Sequence, residues 1–181
     1  MTESNLYYLF INYCIKTIPR YILLISLEKA EICILSQYDN IYFLIMFFKK
    51  HTNTLLNVLS DITAVDYPQK KLRFEVIYNF FSIKYNYKLR FKISITEIMA
   101  VASIYNLFLA SNWFEREVWD LFGIFFSDHS RLRRILTDYG FIGYPLRKDF
   151  PCVGFYEVRY SENLQKIIYE PLELTTTLRF L

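Results

Sequence analysis

The 181-residue sequence has little cysteine, histidine or glycine, and no long apolar run. Each scarcity removes a class of function. Cys14, Cys33 and Cys152 are odd in number, widely separated and in no C-x-x-C pair, so their spacing specifies neither a disulfide framework nor a zinc or iron–sulfur site. A reducing compartment fits them. His51 and His129 are too far apart in sequence for a local metal-binding motif, and each reads as a capping or packing residue. Only four glycines are present, and no glycine-rich loop opens a helix, so no phosphate cradle is specified. A membrane span needs about 20 predominantly apolar residues. Tyr21 to Leu27 and Ile41 to Phe48 are too short and are bounded by charge or proline, which makes them a buried strand and a buried helix segment. The opening MTESNLYYLF lacks both the basic flank and cleavage site of a secretory signal and the arginine-rich, acid-poor character of a transit peptide. The chain is therefore expected to work where it is made. A dispersed net charge of +3 gives no footprint for nucleic acid.

What is abundant is apolar and aromatic side chain, 54% and 19% of the residues, against 22% charged. That exceeds what one small domain of this length needs for its own core. Either part of the surplus lies on a membrane or on partner proteins, or it reflects an AT-rich genome, and the two accounts are compatible.

Asn5 to Ile15 reads as a short apolar helix stopped near Pro19. Tyr21 to Leu27 and Glu31 to Leu35 read as a β-hairpin. Asp39 is placed to cap a helix running to about His51. Leu56 to Pro68, containing DITAVDYP, reads as a turning region because Pro68 cannot continue a ladder. RFEVIYNFFSI and YKLRFKISI have strand character, and Lys88, Arg90 and Lys92 alternate with Leu89, Phe91 and Ile93, which predicts a half-buried antiparallel hairpin. Glu97 to Leu109 carries helical spacing at Ile98, Ala102, Tyr105 and Leu109. The expected class is α+β: one mostly antiparallel or mixed sheet with helices on one side. Past Ser127 periodicity fades and arginine replaces lysine as the usual cation. Residues 1–126 are read as a compact domain and 127–181 as a long extended C-terminal arm lying on other proteins.

SNWFEREVWDLFGIFF, Ser111 to Phe126, sets three carboxylates among aromatic rings. Asn112 and Glu115 mark a helix start and Gly123 its stop. Phe114, Val118, Leu121 and Phe122 form an apolar stripe, with Arg116, Glu117 and Asp120 opposite and Trp113 and Trp119 near the charges. Three readings stand: an acid–base site using Glu115, Glu117 or Asp120, a partner-docking face, or a solvated helix face. Arg116, at i to i+4 from Asp120, would keep that acid ionised, and no second acid or histidine is specified as its partner, so docking is favoured. In HSRLRRILTDYGFIGYPLRKDFP, Arg131, Arg133, Arg134, Arg147 and Lys148 are interleaved with Asp138 and Asp149. They serve either partner carboxylates or internal pairs that pin the arm onto the acidic helix.

These stretches resemble a known family. SNWFEREVWDLFGIFF, followed by His129, Arg133, Ile135 and Leu136 and then LTDYGFIGYPLRKDFP, closely resembles the thirty-kilodalton subunit of respiratory complex I, the proton-pumping NADH:ubiquinone oxidoreductase, in its mitochondrial and proteobacterial form. DITAVDYP, RFEVIYNFFSI, EVRY and YEPLEL resemble it too, so the likeness covers roughly residues 20–181. It departs from the family at Tyr144, where histidine is common, and at Cys152, where leucine is commoner. The resemblance implies a non-catalytic core subunit of the hydrophilic arm, packed on the quinone-site subunit of the forty-nine-kilodalton type, at the matrix side of the mitochondrial inner membrane. It implies no cofactor in this chain, with NADH, FMN, iron–sulfur clusters and ubiquinone belonging to other subunits. Partner contacts are then expected at Trp113, Arg116, Glu117, Trp119, Asp120 and His129, and at Arg131, Arg133, Arg134, Arg147, Lys148 and Asp149. The chloroplast-type plastoquinone reductase subunit shares the ERE helix but differs later, and a membrane-bound hydrogenase subunit is a further relative. Composition and the lack of a transit peptide lead to the expectation of a gene inside the mitochondrion, with a bacterial gene of similar base bias as the alternative.

Overall fold

The computed structural model describes residues 3–28 and 31–173. Helix α1, Glu3–Thr17, is amphipathic: Cys14 is buried and Tyr7, Phe10 and Ile11 pack beside it, while Tyr8, Leu9 and Ile15 are exposed. Pro19 then opens a single 3-10 turn, Pro19–Tyr21. Strands β1, Leu24–Glu28, and β2, Glu31–Ser36, form the expected hairpin. Helix α2, Ile41–Lys50, buries Ile41, Leu44, Ile45 and Phe48. Asp39 does not cap it. It lies in a 3-10 turn, Tyr38–Asn40, and the helix has no side-chain cap.

Three long strands follow: β3, Val58–Asp66; β4, Phe74–Ser82; and β5, Tyr87–Ile95. The five strands make one mixed sheet in the order β1-β2-β5-β4-β3, antiparallel except where β2 runs parallel to β5. In-register residues such as Ile62, Tyr78, Phe91 and Ile34 stack across the sheet on one face. That face joins α1, α2 and a later helix in a single core. Each fully buried large apolar side chain stabilises the fold by about 1.5–3 kcal/mol relative to exposure. The opposite face carries charge, with Arg90 and Lys92 meeting Glu31 and Glu28 at 2.6 and 3.0 Å. The α+β class and the one-sided sheet are thus as expected.

Two stretches differ from the sequence reading. DITAVDYP is mostly strand, because Leu59, Ile62, Ala64 and Asp66 are buried against the core, and the turn comes only after Tyr67. Glu97 to Leu109 is not a helix. Ile98 and Leu109, assigned to its inner stripe, are 95% and 76% exposed, and Val101, Ile104 and Phe108 are buried instead. This segment contributes β6, Val101–Ala102, which runs parallel to β7, Phe126–Ser127. Between them lies α3, Ser111–Phe122. Beyond Ser127 the chain is irregular until a separate hairpin of β8, Tyr156–Ser161, and β9, Lys166–Pro171.

Candidate functional site

Helix α3 starts as the chain turns through Phe108, whose carbonyl accepts from the Ser111 hydroxyl at 2.8 Å. It stops at Gly123, whose φ of 77° is left-handed and whose N–H donates to the Trp119 carbonyl at 2.9 Å. A Cβ on Gly123 would lie 2.6 Å from Arg147 and from the Tyr144 ring, so glycine is required by both backbone and space. The last carbonyls of the helix are satisfied from the C-terminal segment. Arg147 Nε donates to Phe122 O at 2.6 Å, and the Leu146 amide donates to Leu121 O at 3.1 Å. The Arg147 guanidinium also favours the negative end of the helix dipole. It pairs with Glu97 and stacks on the Phe74 and Tyr144 rings.

The predicted apolar stripe is present, but the side expected to face outward is covered too. Glu115, Arg116 and Asp120 are all buried. Asp120 takes five hydrogen bonds from one loop. Its Oδ2 accepts from the amides of Ile135, Leu136 and Thr137 at 3.0, 2.8 and 3.0 Å, and its Oδ1 accepts from Arg134 at 3.1 Å and the Thr137 hydroxyl at 2.6 Å. Burial pushes its carboxyl up, yet the Thr137 hydroxyl and the three amides win and bring it down to about 2. The ion partner of Asp120 is Arg134 rather than Arg116. Arg134 reaches onward to Gly143 O at 3.0 Å and lies among the Trp119, Phe141 and Tyr144 rings.

A second buried carboxylate repeats the device from the sheet. Asp66, at the end of β3, is gripped by Arg73 through two bonds of 2.8 Å and accepts the Lys148 amide at 2.8 Å. Arg73 is the main reason its carboxyl lies below the ordinary range. Arg73 also reaches Asp149 at 3.0 Å.

Glu115 behaves oppositely. It points into the core, accepting from the Ser103 hydroxyl at 2.5 Å and the Ile104 amide at 2.8 Å. Burial pushes its carboxyl up to about 7 despite those bonds. His129 Nε2 lies 3.9 Å from Glu115, and both side chains are enclosed. The Arg131 amide donates to His129 Nδ1 at 3.1 Å and burial lowers the histidine's pKa, so the imidazole is neutral and no ion pair forms. The hydroxyl of Tyr78 and the Nε2 of His129 have no hydrogen-bond partner among the described residues.

Of the remaining sequence candidates, Arg116 donates through Nε to the Arg133 carbonyl at 3.1 Å and lies 5.1 Å from the Trp113 ring. Trp113, Arg131, Arg133, Lys148 and Asp149 are exposed, while Glu117 and Trp119 are half-buried. Sequence reasoning missed Asp66, Ser103, Thr137 and Gly143 as anchoring residues. A usable signal existed for Asp66 alone, an acid at the inner end of an apolar run. Chemically, Glu115 and Asp120 do not face a shared cleft, and Asp120 has its acceptors fully engaged. The arrangement locks chain segments together, with Asp120 turned to the 134–137 loop and Glu115 to Ser103 and Ile104.

The fold and these two anchors define an α+β module whose C-terminal segment is tied to its core. The same fold is found in a chain of the membrane-bound sulfane sulfur reductase (MBS), an archaeal respiratory membrane complex, with a TM-score of 0.65 over 78% of this chain and 83% of that one at 21% identity. Residues 35–156 match the family described as "Respiratory-chain NADH dehydrogenase, 30 Kd subunit". The chain is 47% identical over 165 residues to NADH-ubiquinone oxidoreductase subunit 9 of Reclinomonas americana, covering 91% of this chain and 81% of that protein. It is 50% identical over 142 residues to NADH dehydrogenase [ubiquinone] iron-sulfur protein 3 of Solanum tuberosum, covering 78% and 75%. It is 48% identical over 168 residues to the mitochondrial iron-sulfur protein 3 of Candida albicans, covering 93% of this chain and 60% of that protein. The chain belongs to the 30 Kd subunit family of respiratory-chain NADH dehydrogenase.

The words "iron-sulfur protein" in two of those names call for a test of the donor set. A typical cluster takes four cysteine thiolates. This chain has three cysteines on separate parts of the fold. Cys14 lies in the core, where burial pushes its thiol up to about 12. Cys33 is on the opposite face of β2 beside Glu28, and Cys152 is exposed in the C-terminal segment. The residues do not fit a cluster held by this chain.

Proposed function

We propose that this chain is the thirty-kilodalton core subunit of a NADH:ubiquinone oxidoreductase, complex I. Its role there is to hold the quinone-site subunit, of the forty-nine-kilodalton type, and its neighbours in register while electrons pass from NADH to ubiquinone and protons are translocated. The chain supplies position rather than chemistry, and NADH, FMN, clusters and quinone reside on other subunits. Its place is the matrix side of the mitochondrial inner membrane, reached through the complex. No helix among the described residues is long and apolar enough to cross a membrane. Residues 1–126 act as the compact domain, and of the 127–181 segment read as a partner-facing arm, residues 134–148 are tied back to that domain through Asp120 and Asp66.

The observation that carries this reading is near-half identity, over most of the chain, to proteins named as subunits of NADH-ubiquinone oxidoreductase. The geometry supports it, because Asp120 and Asp66 turn an irregular segment into a fixed surface. Rigid positioning matters in such a machine, since misplacing a reacting centre by about 1 Å can cost about a hundredfold in rate.

The test is native electrophoresis of gently solubilised membranes with NADH activity staining and mass spectrometry of the stained band. This chain is expected in a very large NADH-oxidising band. Its absence there, with the protein running free, would defeat the reading and return Glu115 and Glu117 to consideration as catalytic acids. The fold shared with the sulfane sulfur reductase chain favours one second reading, a homologous subunit of a related membrane-bound reductase or hydrogenase. In that case the chain would migrate in a large band that does not oxidise NADH.

A further inference from the structure

Most arginines of the fold meet a carboxylate of the same chain. Arg73, Arg90, Arg134, Arg147 and Arg159 each have one within 4.0 Å. Three arginines at one place do not. Arg116, Arg131 and Arg133 make no ion pair among the described residues, although they lie close enough together to oppose one another's charge. Arg116 is the least exposed of them. Only 7% of its surface is exposed, and among the described residues its one hydrogen bond goes to the Arg133 backbone carbonyl at 3.1 Å. Its Nη atoms are not among the solvent-sealed polar atoms that lack a partner, so water fills these donors until an anion arrives. The carboxylate nearest in sequence on its helix face, Asp120, has both oxygens engaged by the following loop.

The surroundings specify what kind of anion fits. Trp113 lies against Arg116 at 5.1 Å and is 64% exposed, so an apolar wall stands beside the charge. Tryptophan with arginine, half enclosed, is the composition of a protein-binding hot spot. The planar guanidinium fork matches a carboxylate through two parallel bonds. Half-buried Glu117 on the same helix and exposed Asp128 just before the arginines make the neighbourhood mixed in charge, which suits one discrete acidic side chain better than a sheet of phosphates. The receptor is also set in advance, because Asp120 holds residues 135–137, immediately after Arg133, by their amides.

We propose that Arg116, Arg131 and Arg133, walled by Trp113, form a socket for an aspartate or glutamate side chain on a neighbouring protein subunit. This deepens the subunit reading above and rests on it.

The test uses the assembled complex from its own membranes, comparing wild type with Arg131→Lys and Arg133→Lys. A zero-length carbodiimide joins the introduced amine to a carboxylate in direct contact. The expected product is a peptide cross-linked from position 131 or 133 to an aspartate or glutamate of another subunit, absent from wild type. The double reversal Arg131→Glu with Arg133→Glu should lower the amount of chain retained in the large complex at least about tenfold, the scale of losing a desolvated charge contact. Cross-links confined to this chain, or none, with the chain fully assembled, overturn the socket and leave the subunit reading standing. Phospholipid retained by wild type and lost from the double reversal, with no peptide cross-link, assigns the face to an anionic membrane and also overturns it. A wild-type chain missing from the NADH-oxidising band defeats the subunit reading and the socket with it.

Discussion

Replacing Asp120 by asparagine tests the main anchor with almost no change in shape. The carboxylate is held near 2 instead of its usual 3.8. At about 1.4 kcal/mol per pH unit, that difference stabilises the ionised fold by about 2–3 kcal/mol at neutral pH. Asparagine loses this contribution and adds a second cost. Its NH2 must face either three backbone amides or Arg134, so donors confront donors whichever way it turns. The total is about 3–5 kcal/mol, the usual range for breaking a buried charge contact. The readout is amide hydrogen exchange at Ile135, Leu136 and Thr137, which should quicken by about a hundredfold or more. The acid response gives a second check with a definite sign. A depressed carboxyl stabilises the fold above its unfolded value, and this stabilisation disappears as pH falls through the folded value. Wild type should therefore lose stability from about pH 4 to about pH 2 by more than Asp120→Asn does, with Asp66 contributing equally to both. Exchange at residues 135–137 within threefold of wild type would refute the claim that Asp120 holds the loop.

Glu115→Gln should act in the other direction. A carboxyl raised to about 7 stabilises the fold below its unfolded value of 4.5 and loses that effect as pH rises through about 7, so pH-dependent melting should flatten across this window in the glutamine variant. Gly123→Ala should destabilise by at least about 1–2 kcal/mol in thermal melts, from the left-handed backbone alone, with displacement of Arg147 and Tyr144 added to it. Tyr78→Phe removes a buried hydroxyl without a partner among the described residues, and its melting temperature should stay level or rise; a fall of several degrees would show that the hydroxyl has a partner after all.

How much of this was legible depended on whether one element's own pattern decided its environment. In β4 and β5, strict alternation matched burial residue by residue, and Gly123 ended α3 as expected. In β3 the pattern was broken by a register shift between Leu59 and Asp61, which places the buried residues Leu59 and Ile62 three apart and hides the strand's period of two. The Glu97 to Leu109 stretch has helix-like spacing, but Glu115 captures the Ile104 amide and β7 captures Val101, so tertiary bonds override local preference. On α3, charge predicted an outer face correctly for a helix with one neighbour. The second neighbour is the 131–147 loop, and a helix's own periodicity carries no trace of it.

The C-terminal segment is also not uniform, and the difference follows from where carboxylates meet amides. A buried aspartate bears a large desolvation penalty, which several donors are needed to offset. Asp120 finds most of those donors in backbone N–H groups of the segment itself, at 135–137, whereas Asp66 takes two bonds from Arg73 and one from the Lys148 amide of the segment. The Asp120 anchor forms only when the loop around 134–137 lies against the core, and the Asp66–Arg73 pair gains its third bond only when Lys148 does. Past Gly154 the support is of another kind. The β8–β9 ribbon exposes Tyr156, Val158, Tyr160, Ile167 and Tyr169, and a two-stranded ribbon is only marginally stable in water. The pinned stretch therefore fixes where Trp113, Arg131 and Arg133 stand before any partner arrives. The ribbon has most to gain from being covered, so its amides should exchange rapidly in the free chain and slowly in the complex, while those at 135–137 are protected in both.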